Sequence, residues 1–128
     1  TETILLVEDE PAVLALLHEL LADAGYRVLD GGLPNHALEV ARRHAGTIDL
    51  VISDMVMPQL DGPSVVARLR EQRPGVRAVF LSGYPGDAGP TAGAPLLSKP
   101  IGGQALLEAV RAALDGRAVA APGLRAAR

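Results

Sequence analysis

Glu8-Asp9-Glu10, Asp54, Ser82 and Lys99 are the residues of this 128-residue chain whose types could do chemistry together. Each stands just past a short apolar run: TILLV (3–7) before the acids, DLVIS (49–53) before Asp54, VRAVFL (76–81) before Ser82 and PLLS (95–98) before Lys99. If Glu8, Asp9 and Asp54 carboxylates gather ~5 Å apart, each like-charged pair costs ~3 kcal/mol at an effective dielectric of 20. Three such pairs exceed what a small domain can spare. Either some protonate or a cation sits among them. An all-oxygen cluster favours a hard divalent ion, and few ligands with room for water favour Mg²⁺. Asp54 could be a ligand only, or a nucleophile whose carboxylate attacks phosphorus and forms an acyl phosphate. In the second case the metal, Lys99 and Ser82 could each serve one of the three equatorial phosphoryl oxygens. The plain alternatives are an acidic triplet that solvates a loop near the positive end of a helix, a serine that only turns the chain before Gly83, and a surface lysine.

The positioning elements can be read from periodicity. The runs named above are short and apolar throughout, as buried strands of a parallel sheet are, and YRVL (26–29) adds another. Between them lie helical patterns over 11–24, 34–44 and 63–72, with a last one over 103–115. Pro11 opens the first and Gly25 follows it, Pro74-Gly75 closes the third and Gly116 stops the last. Gly31-Gly32 is read as following the second strand. Segment 83–98 carries Pro85, Gly86, Gly89, Pro90, Gly93 and Pro95, so a loop or at most one helical turn is expected between the fourth and fifth strands. Strand and helix alternate throughout. That pattern implies a parallel sheet with helices on both faces and a site beyond the strands' carboxyl ends, at the switch in strand order.

Composition narrows the classes. Apolar residues are 48% and charged residues 21%, enough for one cored domain. The net charge of -3 shows no basic footprint for nucleic acid. The absence of cysteine excludes a disulfide scaffold, a thiol nucleophile and thiolate metal sites, and fits a cytoplasmic protein. No apolar run approaches the ~18 residues of a membrane span. Thr1-Glu2-Thr3 does not resemble a signal peptide, and without Met it is expected to be a processed or excised start. Aromatics are only Tyr26, Phe80 and Tyr84, so Leu, Val and Ala must fill the core. Eleven of the twelve basic residues are Arg; the single Lys is Lys99. A compact ammonium does what a planar guanidinium fork does not. His18, His36 and His44 share no ligand spacing and are read as satisfied surface residues, and Met55 and Met57 as packing residues.

Glu8-Asp9, DMVMPQLDG (54–62), LSGY (81–84) and SKP (98–100), in that order at strand ends, resemble a bacterial response-regulator receiver domain over roughly residues 3–115. DMVMP with SGY is most similar to the receivers of hybrid sensor histidine kinases, and stand-alone receivers share it. The resemblance implies a flavodoxin-like, doubly wound α/β fold with a five-stranded parallel sheet in the order 2-1-3-4-5. Here the fourth helix, usually an output and dimerisation face, would be short or missing. It implies that Asp54 accepts a phosphoryl group from a histidine kinase or histidine phosphotransfer protein. Asp9 and Asp54 would bind Mg²⁺ directly, Glu8 through water, and the backbone carbonyl of Val56 would add a ligand. Ser82 would be the switch hydroxyl, Lys99 would reach a phosphoryl oxygen ahead of a cis peptide to Pro100, and Gly62 would close the loop after Asp54.

Residues 1–116 are expected to form the receiver and 117–128 a mobile tail. The protein is expected to be a monomer or weak dimer that passes its signal to another protein, without nucleic acid or membrane contact of its own. Its catalysis would be limited to Mg²⁺-dependent self-phosphorylation and dephosphorylation. Two features depart from the family. Leu96 stands where an aromatic often swings inward, and the fourth helix is reduced, so readout is expected through the first helix or segment 83–95. Val56 and Tyr84 flank Asp54 and are expected to restrict the water that hydrolyses the acyl phosphate. Two other readings compete. One is a haloacid-dehalogenase-like phosphatase, whose nucleophile follows strand one with a second acid two positions on; here Pro11 holds that place after Asp9. The other is a pseudo-receiver that binds a partner without phosphorylation, against which the full set of site residues speaks.

Overall fold

Alternate residues of each inner strand face opposite sides of the sheet, and the apolar residues on both sides explain why helices cover it twice. The structure, a computed structural model, describes residues 1–83 and 93–116. The expected reduction of the fourth helix falls largely in 84–92, with Tyr84, and the expected tail is 117–128; these lie outside the described residues.

Five strands, β1 (Thr3–Val7), β2 (Arg27–Gly32), β3 (Leu50–Asp54), β4 (Arg77–Ser82) and β5 (Leu96–Ser98), form one parallel sheet in the order β2-β1-β3-β4-β5. The described helices are α1 (Pro11–Asp23), α2 (Pro34–Arg43), α3 (Gly62–Gln72) and α4 (Gly103–Asp115). This is the flavodoxin-like order that the resemblance implied. Leu5, Val7, Val51, Ala78 and Phe80 form a core with Ala37, Ala41, Val65 and Leu69 of α2 and α3. Their neighbours Ile4, Leu6, Leu50, Ile52, Val79 and Leu81 form the opposite core with Leu17, Leu21, Leu106 and Val110 of α1 and α4. Each fully buried aliphatic side chain contributes ~1.5–3 kcal/mol, so β1 and β3, buried at every position, are the fixed frame of the site. Among the described residues no helix is long and apolar enough to cross a membrane.

Helix ends follow their punctuation. Pro occupies the first turn of α1, Gly25 follows that helix at φ 100°, and α4 ends on Gly116 at φ 75°. Asp61 caps α3, its Oδ1 accepting from the Ser64 backbone N–H at 2.8 Å.

The second strand differs from expectation. Gly31 and Gly32 belong to β2 rather than following it. A Cβ on Gly31 would stand 2.5 Å from the Leu6 carbonyl oxygen and 2.6 Å from the Ala37 side chain. The glycine therefore lets α2 and β1 both close on β2 while the strand continues. The pairing register slips between Leu6 and Val7, just where Gly32 takes φ 69°.

Candidate functional site

In a parallel sheet every strand delivers its C-terminal end to one edge. β1 leads to β2 on one side and β3 to β4 on the other, so a crevice opens between β1 and β3. Val7 lies opposite Ser53, and the next residues, Glu8 and Asp54, emerge side by side. Asp54 pairs with Leu81, and Ser82 pairs with Ser98. The Lys99 backbone N–H then donates to the Ser82 carbonyl at 2.8 Å, which brings Lys99 to the same edge.

The side chains meet there. Lys99 Nζ donates to Asp54 Oδ2 at 2.9 Å and to Glu10 Oε1 at 3.3 Å, and lies 3.1 Å from Glu8 Oε1. Glu8, Asp9 and Asp54 each offer an oxygen within 4.8 Å of the other two. Glu8 is 1% exposed and Asp54 5%, while Asp9 is half-buried. Burial, with a smaller push from Asp54, raises Glu8 above the ordinary carboxylate range against the Glu10 N–H and Lys99. Burial likewise raises Asp54, against the pull of the Lys99 ammonium. Burial lowers Lys99, but its bonds to Asp54 and Glu8 outweigh that and raise it, so the ammonium stays charged.

The donor set suits a hard cation. It contains three carboxylates and neither nitrogen nor sulfur. Glu8 Oε2 accepts from the Glu10 N–H at 3.0 Å, and buried Oε1 faces the Lys99 ammonium at 3.1 Å without a well-aligned hydrogen bond among the described residues. One ammonium shared among Glu8, Glu10 and Asp54 leaves the buried acceptor only partly satisfied, and a divalent cation or a water held by one would complete it.

Crowding of this kind makes a stability prediction. A carboxyl whose folded pKa lies above its unfolded value favours folding while protonated. Stability falls as pH climbs through the unfolded value, and the loss is complete above the folded one. The metal-free protein is therefore expected to lose stability as pH rises from about 4 toward neutrality. Asp54→Asn, which removes one of the crowded ionisable groups, is expected to be more stable than the parent at pH 7 and to lose less stability as pH rises. Urea melts of both proteins in EDTA across pH check this. A less stable Asp54→Asn would mean that the ion pair with Lys99 outweighs the crowding.

The structure brings Glu8, Asp9, Asp54, Ser82 and Lys99 to one edge, and the Lys99–Pro100 peptide is cis, as the resemblance implied. Ser82 is 2% exposed. Val56, 62% exposed, sits on the loop after Asp54, while Met55 is buried and Met57 packs on the core. Leu96 is half-buried against the α2–α3 core, opposite Phe80 in the ladder. His18 pairs with Asp30 and His36 with the Gly31 carbonyl, which fits their surface reading. Glu10 was named in the acidic triplet without a role of its own, and Gln59 was not singled out from sequence. Glu10 shares Lys99, a role its place in the acidic triplet could have suggested. Gln59 reaches from the loop after Asp54 to α2.

The model of the response regulator receiver domain family matches residues 4–111. The chain belongs to the response regulator receiver family. This receiver is 42% identical over 86 residues to sensor kinase CckA of Brucella abortus (strain 2308), covering 67% of the chain and 9% of the kinase. It is 32% identical over 122 residues to the transcriptional regulatory protein GlrR of Escherichia coli (strain K12), covering 91% of the chain and 27% of that protein. The receiver thus spans only a minor part of these relatives. Among solved structures, the receiver domain from hybrid histidine kinase CckA matches with a TM-score of 0.75 and 39% identity, over 88% of this chain and 98% of that one. TrrA of Thermotoga maritima, solved in complex with Mg²⁺-BeF, matches with a TM-score of 0.75 and 27% identity, over 87% and 97% of the two chains.

Proposed function

We propose that this receiver, taken as residues 1–116, accepts a phosphoryl group onto Asp54 from the phosphohistidine of a cytoplasmic histidine kinase or phosphotransfer protein. One observation carries the reading: an ammonium 2.9 Å from a buried aspartate, with two further carboxylates in the same crevice. A metal-only aspartate has no need of that ammonium. The Mg²⁺-BeF complex of TrrA adds support, because a relative of like fold holds that pair of groups.

In the proposed transfer an Asp54 carboxylate oxygen attacks phosphorus. The new P–O bond forms as the P–N bond breaks, and its electron pair leaves with the imidazole, which takes up a proton. Little acid–base work is needed, so positioning and charge neutralisation decide the rate. Lys99 exchanges its bond to Asp54 for one to a phosphoryl oxygen, a short shift for a flexible ammonium. The Ser82 hydroxyl donates to a second oxygen. Glu8, Asp9, Asp54 and the Val56 carbonyl would hold Mg²⁺, which when bound neutralises charge on the phosphoryl group. The Lys99 N–H is bonded to the Ser82 carbonyl, so the ends of β4 and β5 are joined at the two residues that would contact the phosphoryl group. The signal would leave by that route toward a downstream protein.

Acetyl phosphate with Mg²⁺, read by intact mass, tests the proposal. One phosphoryl group per chain is expected, lost in EDTA and in Asp54→Asn. A folded chain left unmodified by acetyl phosphate and phosphoramidate in Mg²⁺ would sink it and favour a pseudo-receiver.

A further inference from the structure

The loop between β3 and α3 carries Val56, and both of its ends are anchored. The Met55 N–H donates to the Leu81 carbonyl at 2.8 Å, and the Gly62 N–H to the Met55 carbonyl at 2.9 Å. Its middle is tied to a different element. Gln59 Oε1 accepts from the Asn35 backbone N–H at 2.9 Å, in the first turn of α2. Three further facts bear on this contact. Leu33, at the N-cap of α2, makes no side-chain cap bond, so the helix takes its acceptor from 24 residues away. Gln59 holds φ 78°, a left-handed backbone that a glutamine adopts only when its surroundings enforce it. And Ala37 of α2 packs closely on Gly31 of β2, so the helix is a fixed support rather than a loose neighbour.

We infer that Gln59 is a positioning residue for the metal site: its bond to α2 fixes the loop that presents the Val56 carbonyl. The inference rests on the proposed Mg²⁺ ligand set and names a residue outside it. A free loop would have to be ordered at each binding event, and that ordering entropy would be subtracted from the affinity. Docked on α2, the loop is set in advance. The same bond makes the start of α2 sensitive to the state of the loop, although α2 contributes no ligand.

The test separates positioning from simple capping. In Gln59→Ala, amide exchange at Asn35 and across residues 56–61 is expected to speed up in the metal-free protein. Mg²⁺ affinity by titration is expected to fall about 10-fold, as when a residue supporting a ligand is removed. The double variant Leu33→Ser/Gln59→Ala gives α2 a cap of its own while the loop stays undocked. Exchange at Asn35 is then expected to slow again while Mg²⁺ binding stays weak. Wild-type affinity in Gln59→Ala, or affinity restored in the double variant, would overturn the inference and leave Gln59 as a helix cap. A wild-type receiver that binds no Mg²⁺ would overturn the metal-site reading itself and this inference with it. That failure is distinguishable, because the exchange rates are read without metal. Thermal melts confirm that each variant is folded.

Discussion

Lys99→Ala is expected to move phosphorylation and Mg²⁺ binding in opposite directions. The lysine does two things that conflict. In the resting protein its ammonium offsets three acids, lying 2.9 Å from Asp54, 3.1 Å from Glu8 and 3.3 Å from Glu10. In the proposed transfer it neutralises a phosphoryl oxygen. Removing one such charged donor costs about 10²-fold in rate, so phosphorylation by acetyl phosphate at saturating Mg²⁺ is expected to slow by that order. The same substitution removes a positive charge beside the metal's own carboxylates. Mg²⁺ affinity is expected to rise about 10-fold or more, equivalent to about 1.4 kcal/mol. Without metal the variant leaves two buried carboxylates short of a counter-ion, so it should also be less stable in EDTA and regain stability on adding Mg²⁺. Intact-mass time courses and calorimetric titration read the two effects separately. A variant that phosphorylates at the wild-type rate would remove Lys99 from the chemistry, and one that binds Mg²⁺ more weakly would mean that Lys99 orders the acids rather than competing with the metal.

The strands and the site edge were legible because both depend on local pattern. TILLV and Leu50–Ser53 are buried at every position, as short strands covered on both faces must be. Once the sheet is parallel, the residue after each strand is placed by topology alone, which is why Glu8, Asp54, Ser82 and Lys99 could be gathered without contact information. Strand order is not local. It came from the likeness of four short motifs to a family, not from periodicity. The misplaced end of β2 shows the limit of punctuation. Gly31-Gly32 looks like a turn, yet the close fit of Gly31 between Leu6 of β1 and Ala37 of α2 is a contact between elements that no window of sequence contains. Gln59 was invisible for the same reason: its partner is Asn35, and nothing in MPQLDG indicates that the glutamine points at another helix. Glu10 stood in plain view beside Asp9. Its sharing of Lys99 depends on how the chain turns into α1, which spacing does not fix.

Gly62→Ala is the second large effect expected, and it is a folding effect that reaches the site. Gly62 is the buried first residue of α3, and its N–H closes the loop onto the Met55 carbonyl at 2.9 Å. A Cβ there would lie inside the contact radius of the Asp54 carbonyl oxygen and 3.1 Å from two ring carbons of Phe80. The ring could move by a few tenths of an ångström. The Asp54 carbonyl cannot, because Asp54 is in the ladder between β3 and β4. Relief must come from the loop, which would swing away from β3 and break the Met55–Gly62 bond. Overpacking of this kind costs about 1–3 kcal/mol and the lost bond about 1 kcal/mol more. Urea melts are expected to show a drop of about 2–4 kcal/mol, the sum of those two effects. Phe80→Leu combined with Gly62→Ala distinguishes the two contacts. If the carbonyl is the obstacle, shrinking the ring recovers little stability, and Mg²⁺ binding remains impaired because the Val56 segment is still displaced. If the double variant returns to the stability of Phe80→Leu alone, the ring was the obstacle and the backbone had room.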